Sequence, residues 1–321
     1  MVAEFRWGIV GSGRIAASMV GALRELDDAD VVAVASPTPG RAEQFAGQFD
    51  ISRFHTDPRE LAGTVDVAYV ASANHRHPGD VSALIGAGVP VLCEKPVAID
   101  SQTALAMREE ARAAGVFFME AMWMVFQPFW PILVDLVSDG AVGELSSIDA
   151  TFNFTADRSD RRLFDPAMGG GALLDIGIYP VSLVHAFGGV PTEISASAEI
   201  GVSGVDEQIA AVMRHAGGVQ SVVSASLRSD RHIAAQIGGT EGSVTLADPF
   251  HASPRVTLRR RGATVAEYDT SGTGLKFEAA EVHRCLEAGL VESDARPHAH
   301  TIAVLQTLDR IRAEAVGSPI A

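Results

Sequence analysis

Apolar positions fall into two rhythms along this chain, and the change between them comes near residue 122. Through the first 120 residues, short runs at 7–10, 31–35, 65–70, 89–93 and 117–120 are apolar almost throughout and bounded by turn-forming residues. That is the pattern of parallel strands buried on both faces. Between them, 15–26, 41–49, 79–87 and 101–114 carry apolar residues at helical spacing. Ser101 is placed to cap the last of these helices and Gly115 to end it. A βαβα alternation of this kind predicts a doubly wound parallel sheet.

Beyond residue 122 the aromatics Trp123, Phe126, Phe129 and Trp130 cluster with Pro128 and Pro131. A helix is expected to follow, ending at Ser138 before Asp139-Gly140. The segments 145–155, 193–201, 208–214, 220–227, 234–237, 243–246 and 255–260 alternate in polarity, as strands with one wet face do. They predict a large, mostly antiparallel open sheet, with Gly217-Gly218 as a hairpin turn. Helices are expected at 171–187, 276–288 and 300–315. The fold class is therefore α/β: an N-terminal Rossmann domain over residues 1–121, then an α+β domain over 122–321 for substrate binding and oligomerisation.

The chain is 321 residues long and 47% apolar, enough for two cores at about 150 residues per domain. Its formal net charge of −15 argues against nucleic acid as a partner, because a phosphate backbone needs a basic face. Cys93 and Cys285 sit in apolar surroundings and read as reduced core thiols, with no spacing that suggests a metal. No apolar run reaches the roughly 20 residues that span a bilayer. A strand pattern begins almost at the first residue, without the basic-then-apolar signature of a secretion signal. The expectation is a cytoplasmic protein with no membrane partner. Only two lysines occur, Lys95 and Lys276, against 23 arginines out of 25 basic residues. A lysine kept in such a background points to a need for an amine whose pKa can be tuned.

Four motifs carry chemistry. Gly11-Ser12-Gly13-Arg14-Ile15-Ala16 follows a strand and opens a helix, the context that a dinucleotide fingerprint requires. Gly11 suits the tight turn, Gly13 close approach to a pyrophosphate, and Ala16 close helix–strand packing. The second strand ends Ser36-Pro37-Thr38-Pro39-Gly40-Arg41, without the carboxylate that would hold a ribose 2′-hydroxyl. A hydroxyl at Ser36 and a guanidinium at Arg41 suit a 2′-phosphate, so NADP is favoured over NAD. Glu94-Lys95-Pro96 lies at the carboxyl end of a parallel strand, where such sheets bind ligands. Finally, Gly169-Gly170-Gly171 precedes Asp175 and Tyr179, which share one helix face four residues apart. A carboxylate and a phenol there, with a lysine nearby, can relay a proton to or from an alcohol. The pairs His75/His77 and His298/His300 read as loop polarity rather than metal ligands, and His185 and His283 as packed or surface residues. The Arg158–Arg162 loop has no assigned role.

Together these motifs resemble the Gfo/Idh/MocA oxidoreductases. The similarity covers essentially the whole chain and is most specific in Gly169–Pro180, which resembles the branch of dihydrodiol dehydrogenases, NADP-dependent xylose dehydrogenases and glucose–fructose oxidoreductases. The stretches 239–243 and 274–281 resemble that branch too. The resemblance implies that Lys95 positions substrate and nicotinamide, that Tyr179 is the acid/base, and that Asp175 binds substrate or tunes Tyr179. It further implies a cofactor lined by Gly11, Ser12, Gly13, Arg14, Ile15, Ser36, Arg41, Ser72, Asn74, His77, Glu94 and Lys95. Two positions depart from the family pattern: Ala73 stands where relatives carry Pro, and Trp123-Met124-Val125-Phe126 lacks their Arg.

The expected activity is hydride transfer between NADP and a carbinol of a cyclic sugar, polyol or dihydrodiol, in a homodimer or higher homo-oligomer. Two alternatives stand beside it: a glycosidase acting through transient oxidation, and a non-catalytic NADP-binding regulator.

Overall fold

A computed structural model of the chain describes residues 5–230 and 232–317. They form two compact units, residues 5–126 with 274–302, and residues 127–273 with 303–317.

In the first unit, β1 (Phe5–Val10), β2 (Ala29–Ala35), β3 (Arg53–His55), β4 (Val67–Val70), β5 (Val91–Glu94) and β6 (Phe118–Ala121) form a parallel sheet. Its order is β3-β2-β1-β4-β5-β6, the doubly wound arrangement expected, with the reversal between β1 and β4. The connecting helices are α1 (Arg14–Leu23), α2 (Arg41–Phe49), α3 (His77–Gly86) and α4 (Ser101–Ala114). Every residue of β4 and β5 is buried, which is why these strands read as unbroken apolar runs. The edge strand β3 escaped the sequence reading because three residues are too few to show a period. Asp100, not Ser101, caps α4: its carboxylate accepts from the Thr103 N–H at 2.8 Å, and Ser101 is already helical. Gly115 ends the helix at φ 65°, as expected.

The second unit contains α5 (Phe129–Ser138), β7 (Leu145–Asn153), α6 (Arg161–Phe164), α7 (Ile178–Gly188), β8 (Glu193–Ile200), β9 (Asp206–Arg214), β10 (Gln220–Ser226), β11 (Ala235–Gly239), β12 (Ser243–Leu246), β13 (Arg255–Arg260) and β14 (Ala263–Asp269). The strands form a sheet of order β14-β13-β12-β11-β7-β10-β9-β8. It is antiparallel except where β10 runs parallel to β7. Strand β14 was not foreseen; its residues are largely exposed. Ile148, Ala150, Ile209, Ala211, Met213, Val223 and Ala225 bury one face. Asp149, Gln208, Val212, Gln220 and Val222 leave the other open. Gly217 and Gly218 turn β9 into β10 with φ of 74° and 84°.

The helix expected at 171–187 opens differently from an ordinary α-helix. Leu173–Gly177 is a π turn, and α7 follows directly. Pro180 supplies a reason: a proline ring presses on the carbonyl four residues earlier, here Ile176, and a widened preceding turn relieves that pressure. The sequence count of apolar runs also needs correcting. Pro166–Gly188, 23 residues of mean hydropathy 1.4, is long and apolar enough to cross a membrane, yet 83% of its apolar window is buried inside the protein. It is the core helix of the second unit.

Residues 274–302, which linear order places with the second domain, pack with the first unit. The helix α8 (Lys276–Glu287) is tied to β1 by the Trp7 Nε1–H, which donates to His283 Nε2 at 2.9 Å, while Phe5 stacks on the same imidazole at 4.1 Å. The start of α9 (His298–Gly317) is tied to β6: His298 Nε2 meets the Phe118 carbonyl at 2.7 Å, and buried Arg296 pairs with buried Glu120. His298 is thus a packed residue and not loop polarity, and burial pulls its pKa down.

Candidate active site

The turn from β1 into α1 sets the first part of the site. Gly11 has φ 111°, and a Cβ there would lie 2.5 Å from the Ala71 carbonyl oxygen at the end of β4. Only glycine can occupy that position without displacing backbone. Gly13 is different, since nothing lies within 4 Å of where its Cβ would be. Packing does not demand glycine there; room for something outside the protein does. No side chain caps α1, and its first residues Arg14 and Ile15 are exposed. A ten-residue helix with an uncapped N-terminus beside open space has the geometry that accepts a phosphate. Ser12 is half-buried in this turn. Ser36 is buried at the end of β2, where its N–H donates to the His55 carbonyl at 3.0 Å. Arg41 is exposed at the first residue of α2, after Gly40 at φ 75°.

The carboxyl ends of β4 and β5 hold the next group. Lys95, half-buried, precedes Pro96 across a cis peptide bond. Glu94 is buried; it accepts from the Tyr69 hydroxyl on one carboxylate oxygen and from the Lys95 N–H, at 3.2 Å, on the other. His77 is wholly buried, with Nδ1 2.9 Å from the Pro96 carbonyl and Nε2 3.0 Å from the Ser72 carbonyl. Burial lowers its pKa, against the raising effect of those two carbonyls. The sequence reading gave His77 a cofactor contact, whereas here its ring meets backbone on both sides. It clamps the loop after β4 to the Lys95-Pro96 turn. Ser72 is likewise engaged, donating to Asp80 at 2.7 Å, and Asn74 is buried in the short turn before α3. Tyr69 and Glu278 were not singled out from sequence. Glu278 reaches this cluster from α8, fully buried with neither carboxylate oxygen hydrogen-bonded. Burial and then Glu94 push its pKa well up, and burial does the same to Tyr69. Two carboxyl groups this close in an apolar setting cannot both ionise freely.

In the second unit, Asp175 lies on the π turn and Tyr179 on the first turn of α7. The wider i→i+5 winding stacks residues four apart nearly over one another, so the shared face expected from spacing is kept. Both are buried, Tyr179 with 6% of its surface exposed. The Tyr179 ring packs 5.5 Å from Phe152 at the end of β7 and 5.1 Å from His251. His251 itself stacks on Phe152 at 4.7 Å with an 18° tilt. Asp175 pairs with Arg162 of α6. The start of the π turn is fixed by Asp206 of β9, whose carboxylate accepts from the Leu173 N–H at 2.6 Å. Gly171, at φ 122°, has no room for a side chain, because its Cβ would collide with that carboxylate.

Lys95 belongs to the first unit and Asp175 and Tyr179 to the second. His251, Phe152, Arg162 and Asp206 carry no spacing signal in the sequence; only the tertiary fold brings the first two against Tyr179, Arg162 to Asp175 and Asp206 to the start of the π turn. Among the described residues, no group of three His, Cys, Asp or Glu side chains is arranged to hold a metal ion.

Comparison with known proteins bears on both units. Residues 5–122 match the oxidoreductase family with an NAD-binding Rossmann fold, and residues 132–245 match the GFO/IDH/MocA C-terminal domain. A trans-1,2-dihydrobenzene-1,2-diol dehydrogenase from Bos taurus is 33% identical over 326 residues, covering 97% of each chain. Among solved structures, an aldose-aldose oxidoreductase from Caulobacter crescentus superposes with a TM-score of 0.88 at 22% identity over 98% of both chains. A 3-ketoreductase from Actinomadura kijaniata, in complex with NADP and TDP-benzene, superposes with a TM-score of 0.87 at 22% identity, over 97% of this chain and 98% of its own.

Proposed function

This chain belongs to the Gfo/Idh/MocA oxidoreductase family, and from that premise we propose that it is an NADP-dependent dehydrogenase. Hydride moves between the nicotinamide and a carbinol carbon of a cyclic sugar, polyol or dihydrodiol, with Tyr179 and Lys95 as the acid/base pair. The observation that carries this reading is Tyr179 itself: a buried phenol between Phe152 and His251, one turn after a carboxylate paired with Arg162.

The cofactor, when bound, supplies the hydride acceptor or donor. The protein's residues do the rest. Gly11, Gly13 and the uncapped start of α1, with Ser12, Arg14 and Ile15, take the pyrophosphate. Ser36 and Arg41 take the 2′-phosphate that distinguishes NADP from NAD. Glu94 fixes the backbone at Lys95 through its bond to the Lys95 N–H. The Lys95 ammonium orients the substrate hydroxyl and favours the phenolate form of Tyr179. Tyr179 accepts the hydroxyl proton as the carbinol is oxidised and returns it in the reverse direction. Asp175 accepts a neighbouring substrate hydroxyl. The open face of the eight-stranded sheet, small and polar with Val212 and Val222 exposed, is suited to a homodimer. The protein works in the cytoplasm on this reading.

The test is a dehydrogenase screen of trans-1,2-dihydrobenzene-1,2-diol, pyranoses and polyols, with NADP and NAD in parallel. Loss of the acid/base group costs about 10²–10⁴ in rate, so Tyr179→Phe and Lys95→Met are expected to lose turnover by that order while still binding NADP. Near-normal kcat in both variants refutes the assignment, and release of nitrophenol from a glycoside panel without net reduction of cofactor turns it toward a glycosidase.

A further inference from the structure

Three arginines lie within five residues of one another on the loop between β7 and the π turn, and each finds a different acid. Arg158 forms a fork with Glu207 of β9, one arm at 2.8 Å. Arg161 meets Asp165 at 2.6 Å and is 79% exposed in its side chain. Arg162 alone goes to Asp175, the buried carboxylate one turn before Tyr179.

We propose that Arg162 is a positioning residue for the reaction: it keeps the Asp175 carboxylate ionised and oriented beside Tyr179, and so sets the ease with which Tyr179 gives up its proton. The inference rests on the acid/base role of Tyr179 proposed above, but its physical core does not need a substrate. A carboxylate taken out of water is costly unless a cation accompanies it. With Arg162 present, Asp175 and the guanidinium form a nearly neutral pair next to the phenol. Removing Arg162 takes a positive charge from beside the Asp175 carboxylate, which opposes phenolate formation at Tyr179 and loosens the carboxylate's orientation. The charged and titratable groups facing this spot include Asp175 on the turn, Arg162 from α6, Asp160 at 3.9 Å from the Arg162 guanidinium and His251 against the Tyr179 ring, together with Lys95 on the reading above.

Phenolate absorbance in the near ultraviolet reads the Tyr179 proton directly. The chain has three tyrosines, Tyr69, Tyr179 and Tyr268, and the wild-type titration minus that of Tyr179→Phe isolates one of them. In Arg162→Gln the Tyr179 midpoint is expected to rise by up to about two pH units, the effect of a full negative charge a helical turn (about 5.4 Å) away at an effective dielectric near 20. In Arg161→Gln it should stay where the wild type has it. In the Asp175→Asn background, Arg162→Gln should cause no further rise, because the route runs through that carboxylate. A midpoint unmoved by Arg162→Gln, or moved equally by Arg161→Gln, overturns the proposal.

With trans-1,2-dihydrobenzene-1,2-diol and NADP, Arg162→Gln is expected to lower kcat about tenfold, with a smaller change in KM, and to move the acid limb of the kcat profile in the same direction as the titration. If Arg162→Gln does not fold, Arg162→Lys decides: the cation remains but the fork does not, so a midpoint rise of a few tenths of a unit and a roughly threefold drop in kcat are expected. Neither change in that variant overturns the proposal. A wild type inactive on every substrate removes the dehydrogenase reading and leaves the titration to decide on Arg162.

Discussion

Asp206→Asn is predicted to make the second unit more stable as pH rises, relative to the wild type. Asp206 anchors the turn that carries Asp175, with its carboxylate accepting from the Leu173 N–H. Burial pushes its pKa from 3.8 to about 6, against the lowering effects of that backbone bond, of its own N–H and of Arg312. A rise of about 2 pH units corresponds to about 3 kcal/mol, at 1.36 kcal/mol per unit. The folded state holds the Asp206 proton more tightly than the unfolded chain does. Between pH 3.8 and about 6 the folded protein therefore binds more protons, and stability falls as pH rises through that window. Above it, the full cost stands. Asparagine has nearly the same shape, carries no charge and still accepts from Leu173. The stability of Asp206→Asn minus that of the wild type should thus grow by about 3 kcal/mol from about pH 4 to about pH 7. Urea unfolding of both proteins across that range, followed by far-ultraviolet circular dichroism, measures it. Parallel pH profiles for the two proteins would refute the reasoning, since other titrating groups contribute equally to both.

Two further substitutions probe the cofactor end. Gly11→Ala forces a side chain into left-handed backbone and against the Ala71 carbonyl; it should destabilise the first unit by roughly 1–3 kcal/mol and abolish binding of reduced NADP, followed by its fluorescence. Arg41→Ala should weaken NADP about tenfold, as loss of one exposed charge-assisted contact does, and leave NAD affinity unchanged in the same titration; equal loss for both cofactors would exclude Arg41 from a 2′-phosphate site.

How legible this protein is depends on whether a feature is local in sequence. The parallel strands β1, β2, β4, β5 and β6 announce themselves because burial on both faces removes polar residues from them. The turn at Gly11–Gly13 is legible because its glycines are adjacent and follow a strand. Asp175 and Tyr179 are legible because four residues is a helical spacing, and the π turn preserves their shared face. What could not be read is what tertiary contact supplies. Arg162 looks like its neighbours Arg158 and Arg161 until the fold hands each a different acid. His251 follows Asp248-Pro249-Phe250 without any periodicity, yet its ring lies against Tyr179. The segment 274–302 returns to the first unit through Trp7–His283 and Arg296–Glu120, pairings separated by 276 and 176 residues. The resemblance implies a cofactor contact at His77; the two backbone carbonyls that its ring meets become visible only when Ser72 and Pro96 are brought together.

Direct transfer of hydrogen from the substrate carbinol carbon to the nicotinamide tests the central claim most closely. With a diol or sugar deuterated at that carbon and oxidised NADP, mass spectrometry of the cofactor should find one deuterium per turnover with the wild type and almost none formed by Tyr179→Phe in the same time. Product formed with no deuterium in the cofactor, or Tyr179→Phe matching the wild type, would contradict the account.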